Sequence, residues 1–112
     1  MDNDVRAWLK DIESAIEEIN SFLPDTKIFS DFQRDLKTKR AVERNIEIIG
    51  EAMSRILKVD PSIQISHTRK IVDTRNRIIH GYDSVSEDIL WGIIINSLPD
   101  LQDEVKKLLE SS

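Results

Sequence analysis

Apolar residues recur along the chain at steps of three and four, the spacing that places side chains on one face of an α-helix. The pattern predicts a first helix from about Asp4 to Leu23. Asp2 or Asn3 can cap its start, and Pro24 follows its end. Its apolar positions are Val5, Trp8, Leu9, Ile12, Ala15, Ile16, Ile19 and Leu23.

A second helical segment is predicted to run from Ser30 to about Lys58. Ser30 with Gln33 three residues on fits a capping box. The polar run 37–39 interrupts the apolar spacing, so we expect a kink or break there. Gly50 lies in the middle of this segment, where glycine costs about 1 kcal/mol relative to alanine. We therefore expect another helix to approach closely at Gly50.

The third main helix is predicted from Ser66 or His67 to His80, with Gly81 at the position of a left-handed C-cap. Residues 83–85 are expected to form a loop before the last helix. That helix begins at Ser86 and continues to the end of the chain, with a kink at Pro99.

Composition supports an all-α fold. The chain has only three glycines and three prolines, too few turn residues for an all-β fold. We expect an up-and-down bundle of four main helices plus short helical pieces, as one domain over residues 1–112. Cysteine is absent, the start does not resemble a signal peptide, and the longest apolar stretch is too short for a membrane span. A cytoplasmic protein without a membrane segment is expected.

The net charge of −5 is unevenly distributed. Residues 1–36 and 81–112 each carry −5, whereas residues 37–80 carry 10 basic and 5 acidic side chains and therefore +5. A basic middle can present a local positive field in a protein that is acidic overall. Charges that simply cover solvated helix faces explain the same pattern equally well.

The third helix carries the residues that point to chemistry. Its apolar stripe is expected to contain Ile71, Val72, Ile78, Ile79 and Tyr82, and Arg75 stands in the middle of that stripe. A guanidinium on an inward face is costly unless it has a partner or lines a cleft. A structural partner is available, because Glu43, Glu47 and Glu51 lie at four-residue spacing on the preceding helix.

A polar face lies beside this stripe. Asp73, Asn76 and His80 share it, and Asn76 can orient the His80 imidazole one turn away. Arg75 and His80 are separated by roughly 140° around the helix, so their direct contact needs the reach of the arginine or a second copy of the helix. A histidine before a C-capping glycine is also common for purely structural reasons. Spacing alone therefore leaves catalysis open.

The complete string of this helix resembles a known motif. Arg75-Asn76-Arg77-Ile78-Ile79-His80-Gly81-Tyr82 is similar to the Arg-x4-His-x-Tyr motif of HepT-like proteins, a family of HEPN-domain ribonuclease toxins. Residues 41–52, with the sequence AVERNIEIIGEA, resemble the second signature of that family. The segment Leu98-Pro99-Asp100-Leu101 near the end also fits. The resemblance covers nearly the full chain.

The resemblance implies a HEPN helical bundle that forms a homodimer, with the two motif-bearing helices facing each other across a cleft. The implied activity is metal-independent RNA endonuclease, the toxin of a toxin–antitoxin pair. The implied partner is an MNT-type nucleotidyltransferase antitoxin that silences the toxin by transferring AMP to Tyr82.

Site roles follow from this resemblance together with the residue chemistry. Arg75 and His80 are the expected catalytic residues, since a guanidinium binds phosphate and an imidazole exchanges protons near neutrality. Asn76, Asp73 and Tyr82 are expected to support them. RNA-backbone contacts are expected from three basic residues: Arg69, Lys70 and Arg77.

Other classes of protein remain as alternatives. A non-catalytic module that binds a nucleotidyltransferase is the second hypothesis, and a plain helical dimerisation protein is the third. Arg75 on the apolar stripe argues against the third. A metal enzyme is disfavoured because His67 and His80 are the only histidines, and no carboxylate pair has ligand-like spacing with either. We expect no cofactor.

Overall fold

The computed structural model describes residues 1–81 and 85–111, and every regular element in these ranges is helical. In chain order the elements are α1 (Asn3–Phe22), α2 (Phe29–Arg34), α3 (Leu36–Val59), α4 (Thr68–His80), α5 (Glu87–Gly92), a π-helical turn (Ile93–Ser97) and α6 (Leu98–Glu110). The predicted all-α bundle is confirmed, with α1, α3, α4 and the continuous α5–α6 segment as its main helices. Tyr82 and most of the predicted loop at 83–85 lie outside the described residues.

The apolar stripes of α1, α3 and the α5–α6 segment build the core. The largest fully buried side chains are Leu9, Ile12, Ile16, Ile19, Ile46, Ile49, Met53, Ile56, Ile71, Leu90, Ile93 and Leu98. Burial of one such side chain contributes about 1.5–3 kcal/mol, so this cluster dominates the stability of the fold. No helix in the described part of the chain has the length and apolar character that a bilayer crossing requires.

The helix α3 is central, because it packs against both α1 and α4, while α1 also packs against α6. Of the 13 residues of α4, only Ile71 and Thr74 are buried, and α4 has extensive contacts with α3 alone. The motif-bearing helix therefore lies at the outside of the bundle, with one long face in solvent.

The second helical segment begins within one residue of the predicted Ser30, but the capping box predicted there does not form. The helix α2 begins at Phe29 after the extended residue Ile28, without a side-chain cap. The break falls at Asp35, slightly before the predicted run 37–39. The Asp35 carboxylate accepts hydrogen bonds from the backbone nitrogen of Thr38 at 3.1 Å and from its Oγ1 at 2.6 Å. These bonds satisfy the exposed donors at the start of α3, so the chain ends one helix and begins the next here.

The predicted ends of α1 and α4 are confirmed within two residues. Asp2 caps α1, since its carboxylate accepts from the backbone nitrogens of Asp4 and Val5. Gly81 ends α4 in the left-handed conformation, with φ of 63°. His67 precedes α4 with the same positive φ, and its Nε2 lies 3.0 Å from Asp100 Oδ2 on α6.

The distortion expected at Pro99 is a π-helical turn. The last helix begins at Glu87, one residue after the predicted Ser86, which caps it. The helix then widens over Ile93–Ser97, where the backbone nitrogen of Leu98 donates to the carbonyl of Ile93. Pro99 lacks an N–H and its ring would crowd the carbonyl four residues earlier in a regular helix. The wider turn relieves that conflict, and α6 continues beyond it.

Candidate functional site

The close helix approach expected at Gly50 is made by Arg75 itself. An ideal Cβ on Gly50 would lie 2.8 Å from Arg75 Cβ and 3.1 Å from Arg75 Cγ. Real Cβ atoms do not come this close to a neighbour, so the glycine allows α4 to lie directly on α3 at this point. Gly50 thus sets the depth at which the arginine side chain leaves α4.

The Arg75 guanidinium is held by two acceptors. Its Nη2 donates to Glu51 Oε2 on α3, and its Nη1 donates to Asn76 Oδ1 at 3.0 Å. The Nε atom is buried and has no hydrogen-bond partner among the described residues. The side chain remains 24% exposed. Each terminal nitrogen carries a second hydrogen, so the guanidinium retains donors for an anion.

The sequence offered three glutamates as structural partners of Arg75, and Glu51 is the one that pairs with it. Glu43 and Glu47 instead pair within α3, with Arg40 at 2.7 Å and Arg44 at 3.5 Å. Glu51 also accepts from Arg55 Nε at 2.8 Å. The hydrogen bond from Arg55 is the main cause that holds the pKa of the Glu51 carboxyl below its usual range; burial opposes it, and the Arg75 charge adds a smaller lowering effect. The carboxylate is therefore ionised at neutral pH and is shared by two guanidiniums.

An open cleft of about 360 Å³ begins beside this ion pair and lies between α1, α3 and α4. Arg75 and Ile79 line it from α4, and Trp8 and Asp11 line it from α1. The remaining lining comes from α3: Arg44, Glu47, Ile48, Glu51, Ala52 and Arg55. Ile79 is 48% exposed, so its predicted place on an inward apolar stripe is wrong. It lines the open cleft instead of packing into the core.

Sequence reasoning missed most of this cleft. Trp8 was assigned to the core face of the first helix, yet it is only half-buried. Asp11 and Arg55 carried no signal, because a charged residue on an amphipathic helix is usually part of its solvated face. Arg44 lies in the stretch 41–52 that resembles the second family signature, but no role in a cleft was predicted for it. Only the position of α1 relative to α4 brings these side chains to Arg75.

His80 is not part of this cleft. It is exposed, and it ends α4 one turn beyond Asn76. The amide oxygen of Asn76 accepts from Arg75, so orientation of His80 by Asn76 stays a prediction. Asp73 is exposed on the same helix.

The predicted RNA-contacting residues Arg69, Lys70 and Arg77 are all exposed on α4. A group of three or more His, Asp or Glu side chains able to hold a metal ion does not occur in residues 1–81 and 85–111. The site therefore offers guanidinium, amide, carboxylate and imidazole groups. These groups suit binding of phosphate and transfer of protons.

An all-helical bundle with a motif-bearing outer helix and an arginine held over an open cleft is the arrangement expected of a HEPN-type ribonuclease. The family model "Ribonuclease HepT-like" matches residues 12–108. The chain belongs to the HepT-like ribonuclease family, as the resemblance in its sequence indicated.

Individual relatives agree with this assignment. A Methanocaldococcus jannaschii protein named "Putative RNase MJ0127" is 32% identical over 111 residues, covering 96% of this chain and 88% of the relative. A Thermococcus cleftensis protein named "Probable ribonuclease HepT" is 36% identical over 105 residues, covering 90% and 92%. A Caldanaerobacter subterraneus protein named "Putative RNase TTE0752" is 31% identical over 106 residues, covering 91% and 88%. No solved structure matches the chain significantly.

Proposed function

We propose that the protein is an RNA endonuclease that cuts without a metal ion, with Arg75 and His80 as its catalytic residues. The observation that carries this proposal is the Arg75 guanidinium, held by Glu51 and Asn76 at the edge of an open cleft. The same helix ends in His80, so one rigid element presents both a phosphate-binding group and a proton-transfer group. Membership of the HepT-like ribonuclease family supports the same activity.

The reaction needs only groups that the chain and the RNA supply. The ribose 2′-oxygen attacks the adjacent phosphorus and loses its proton to a neutral imidazole. The bond from phosphorus to the 5′-oxygen breaks, and the leaving oxygen takes a proton from a protonated imidazole. The products are a 2′,3′-cyclic phosphate and a 5′-hydroxyl. Arg75 stabilises the charge that develops on the phosphoryl oxygens.

A homodimer completes this scheme. One protomer's His80 acts as the base, and the partner's His80 acts as the acid, across the face of α4. Arg75 and His80 are roughly 140° apart on one helix. In the dimer, the arginine of one protomer can lie close to the histidine of the other. Among the described helices α4 packs extensively against α3 alone, so its outer side is open to a second copy of the chain, which supports an interface there.

We further propose that the enzyme is the cytoplasmic toxin of a toxin–antitoxin pair. Its antitoxin is an MNT-type nucleotidyltransferase that transfers AMP to Tyr82, two residues after His80 in the sequence. The tyrosine oxygen attacks the α-phosphorus of ATP, and pyrophosphate leaves. The added phosphate anion repels RNA from the site. These assignments rest on the family resemblance.

The experiment is an RNA cleavage assay in the presence of a metal chelator, with protein shown by mass to be unmodified. Wild type is expected to cleave, and His80→Ala and Arg75→Lys are expected to lose cleavage. Arg75→Lys keeps the charge but removes the planar fork that binds phosphate. His67→Asn is the matched control, because asparagine tolerates the positive φ of 63° and His67 lies outside the cleft.

Two outcomes contradict the proposal. Cleavage by His80→Ala at the wild-type rate removes the imidazole from the mechanism. No cleavage by folded, dimeric, unmodified wild type on several classes of RNA favours the second candidate, a non-catalytic module that binds a nucleotidyltransferase. The observation that favours this candidate is the Glu51–Arg75 pair, which already neutralises the guanidinium within the chain.

A further inference from the structure

The charges that line the cleft cancel. Its guanidiniums and carboxylates are equal in number: Arg44, Arg55, Arg75, Asp11, Glu47 and Glu51. Glu51 is shared by two arginines, and Glu47 lies 3.5 Å from Arg44. A neutral lining gives a second phosphate no net attraction. The occupant that matches it is an uncharged group that carries both hydrogen-bond donors and acceptors.

Trp8 lines the cleft and brings a planar, largely apolar side chain to it. The indole is half-buried against the core, so it is held in place but keeps an accessible surface. Ile48 and Ala52 on α3 add aliphatic surface to the same cleft. An indole stacks on any nucleobase, because every base has a π-face. The site next to the phosphate-binding arginine is thus suited to a planar heterocycle.

Asp11 supplies an acceptor that has no cationic partner among the described residues. Its carboxylate lines the cleft, whereas the other two carboxylates are engaged by arginines. A carboxylate only accepts hydrogen bonds. Guanine presents two adjacent donors, its ring N–H and its exocyclic amine, and matches both carboxylate oxygens. Uracil presents one N–H between two carbonyl oxygens, which a carboxylate repels.

We propose that this cleft binds one nucleobase of the RNA strand, next to the phosphate held by Arg75. Trp8 is the stacking surface, and Asp11 makes guanine the favoured base over uracil. The proposal rests on the proposed ribonuclease function, and it gives that enzyme a base preference at one position beside the cut.

Tryptophan fluorescence tests this directly, since the chain has two tryptophans. Trp91 lies away from the cleft, with its ring centroid 5.7 Å from that of Phe29 and 5.3 Å from that of Phe32. Trp91→Phe therefore leaves Trp8 as the reporter, and Trp8→Phe leaves Trp91 as the matched control. The probe is a 2′-O-methyl trinucleotide with a central guanine or a central uracil, which binds but cannot be cut.

The guanine trinucleotide is expected to quench Trp8 in the Trp91→Phe protein and to leave Trp91 unchanged in the Trp8→Phe protein. Trp8→Leu is expected to weaken binding roughly 5- to 150-fold, the range of base–aromatic stacking. Asp11→Asn is expected to reduce the preference for guanine over uracil. In cleavage, Trp8→Leu should raise KM with kcat little changed.

Saturating trinucleotide that leaves Trp8 unquenched overturns the proposal, even where wild type cleaves RNA and the ribonuclease function stands. If the trinucleotide quenches Trp8 but the protein cleaves no RNA, the base-binding site stands and the proposed ribonuclease function is wrong. Trp8 fluorescence that responds to protein concentration and not to trinucleotide would show that a second copy of the chain covers the cleft, which also overturns the proposal. Equal affinity for both trinucleotides removes the role of Asp11.

Discussion

Gly50→Ala is the substitution that tests most directly how α3 holds Arg75. The new methyl carbon would lie 2.8 Å from Arg75 Cβ, whereas non-bonded carbons prefer about 3.5–4.0 Å. The Arg75 Cβ is rigidly attached to the backbone of α4, so rotation of the side chain cannot relieve this contact. The helix must move outward by about 0.7 Å or more.

Two opposing terms set the free energy of unfolding of this variant. Alanine gains about 0.8–1.0 kcal/mol over glycine in a helix interior. Overpacking at a close contact costs about 1–3 kcal/mol. The expected net result is a protein about 0–2 kcal/mol less stable than wild type. Displacement of Arg75 by nearly 1 Å is expected to lower kcat/KM by up to about 100-fold.

Gly92→Ala provides the matched control. Gly92 is also helical, with φ of −58° and ψ of −40°, and a Cβ there would meet nothing within 4 Å. This variant should gain up to about 1 kcal/mol and keep its activity. Urea unfolding at fixed protein concentration measures the stability of both variants, and the RNA cleavage assay measures their activity. Equal stabilisation of the two variants would refute the argument, because it would mean that α3 and α4 are not in contact at Gly50.

Three further predictions concern stability and are measured by urea or thermal unfolding. Asp35→Ala should lower the free energy of unfolding by about 1 kcal/mol, because it removes the cap of α3. Asp35→Ser should restore most of this stability. No loss of stability in Asp35→Ala would mean that the cap is unimportant. Met53→Ala, in the fully buried core, should cost about 2–5 kcal/mol, and a loss below 1 kcal/mol would contradict the packing. Because the pKa of Glu51 is lowered in the fold, its stabilisation is present above the ordinary glutamate pKa and is lost as the pH falls through the folded value. Glu51→Gln should therefore be less stable than wild type by under about 1 kcal/mol at pH 7, since the side chain is 40% exposed, and this difference should shrink as the pH falls below the ordinary glutamate pKa; a constant difference would contradict the ionic origin.

The sequence predicted the helices well because their core faces follow a simple period. It failed at the caps: the capping box of Ser30 with Gln33 does not form, and Asp35, which caps α3, was not identified. Both serine and aspartate are ordinary capping residues, so local chemistry does not rank them. Burial of Phe32, whose ring lies against Trp91, fixes α2 in a position where the chain must turn at Asp35. That contact joins distant parts of the chain and leaves no local signal.

The candidate site was predictable in two respects. Gly50 in the middle of a helix indicated a close approach by another helix, which α4 makes at Arg75. An arginine in the middle of an apolar stripe requires a partner, and Glu51 was one of three glutamates at the right spacing. The cleft beside this pair was not predictable, since it forms where α1 passes α4 across α3. Trp8 illustrates the difficulty, because its periodicity is that of a core residue while its position is at the rim of a cavity.

The outer position of α4 has a consequence for hydrogen exchange. A helix of 13 residues is marginal in isolation, and α4 is stabilised almost entirely by α3. Its amide protons should exchange through a local opening with a lower free energy than global unfolding. A dimer formed through α4 would slow this exchange as the protein concentration rises. In dilute solution the core would remain protected while the helix that carries Arg75 opens first.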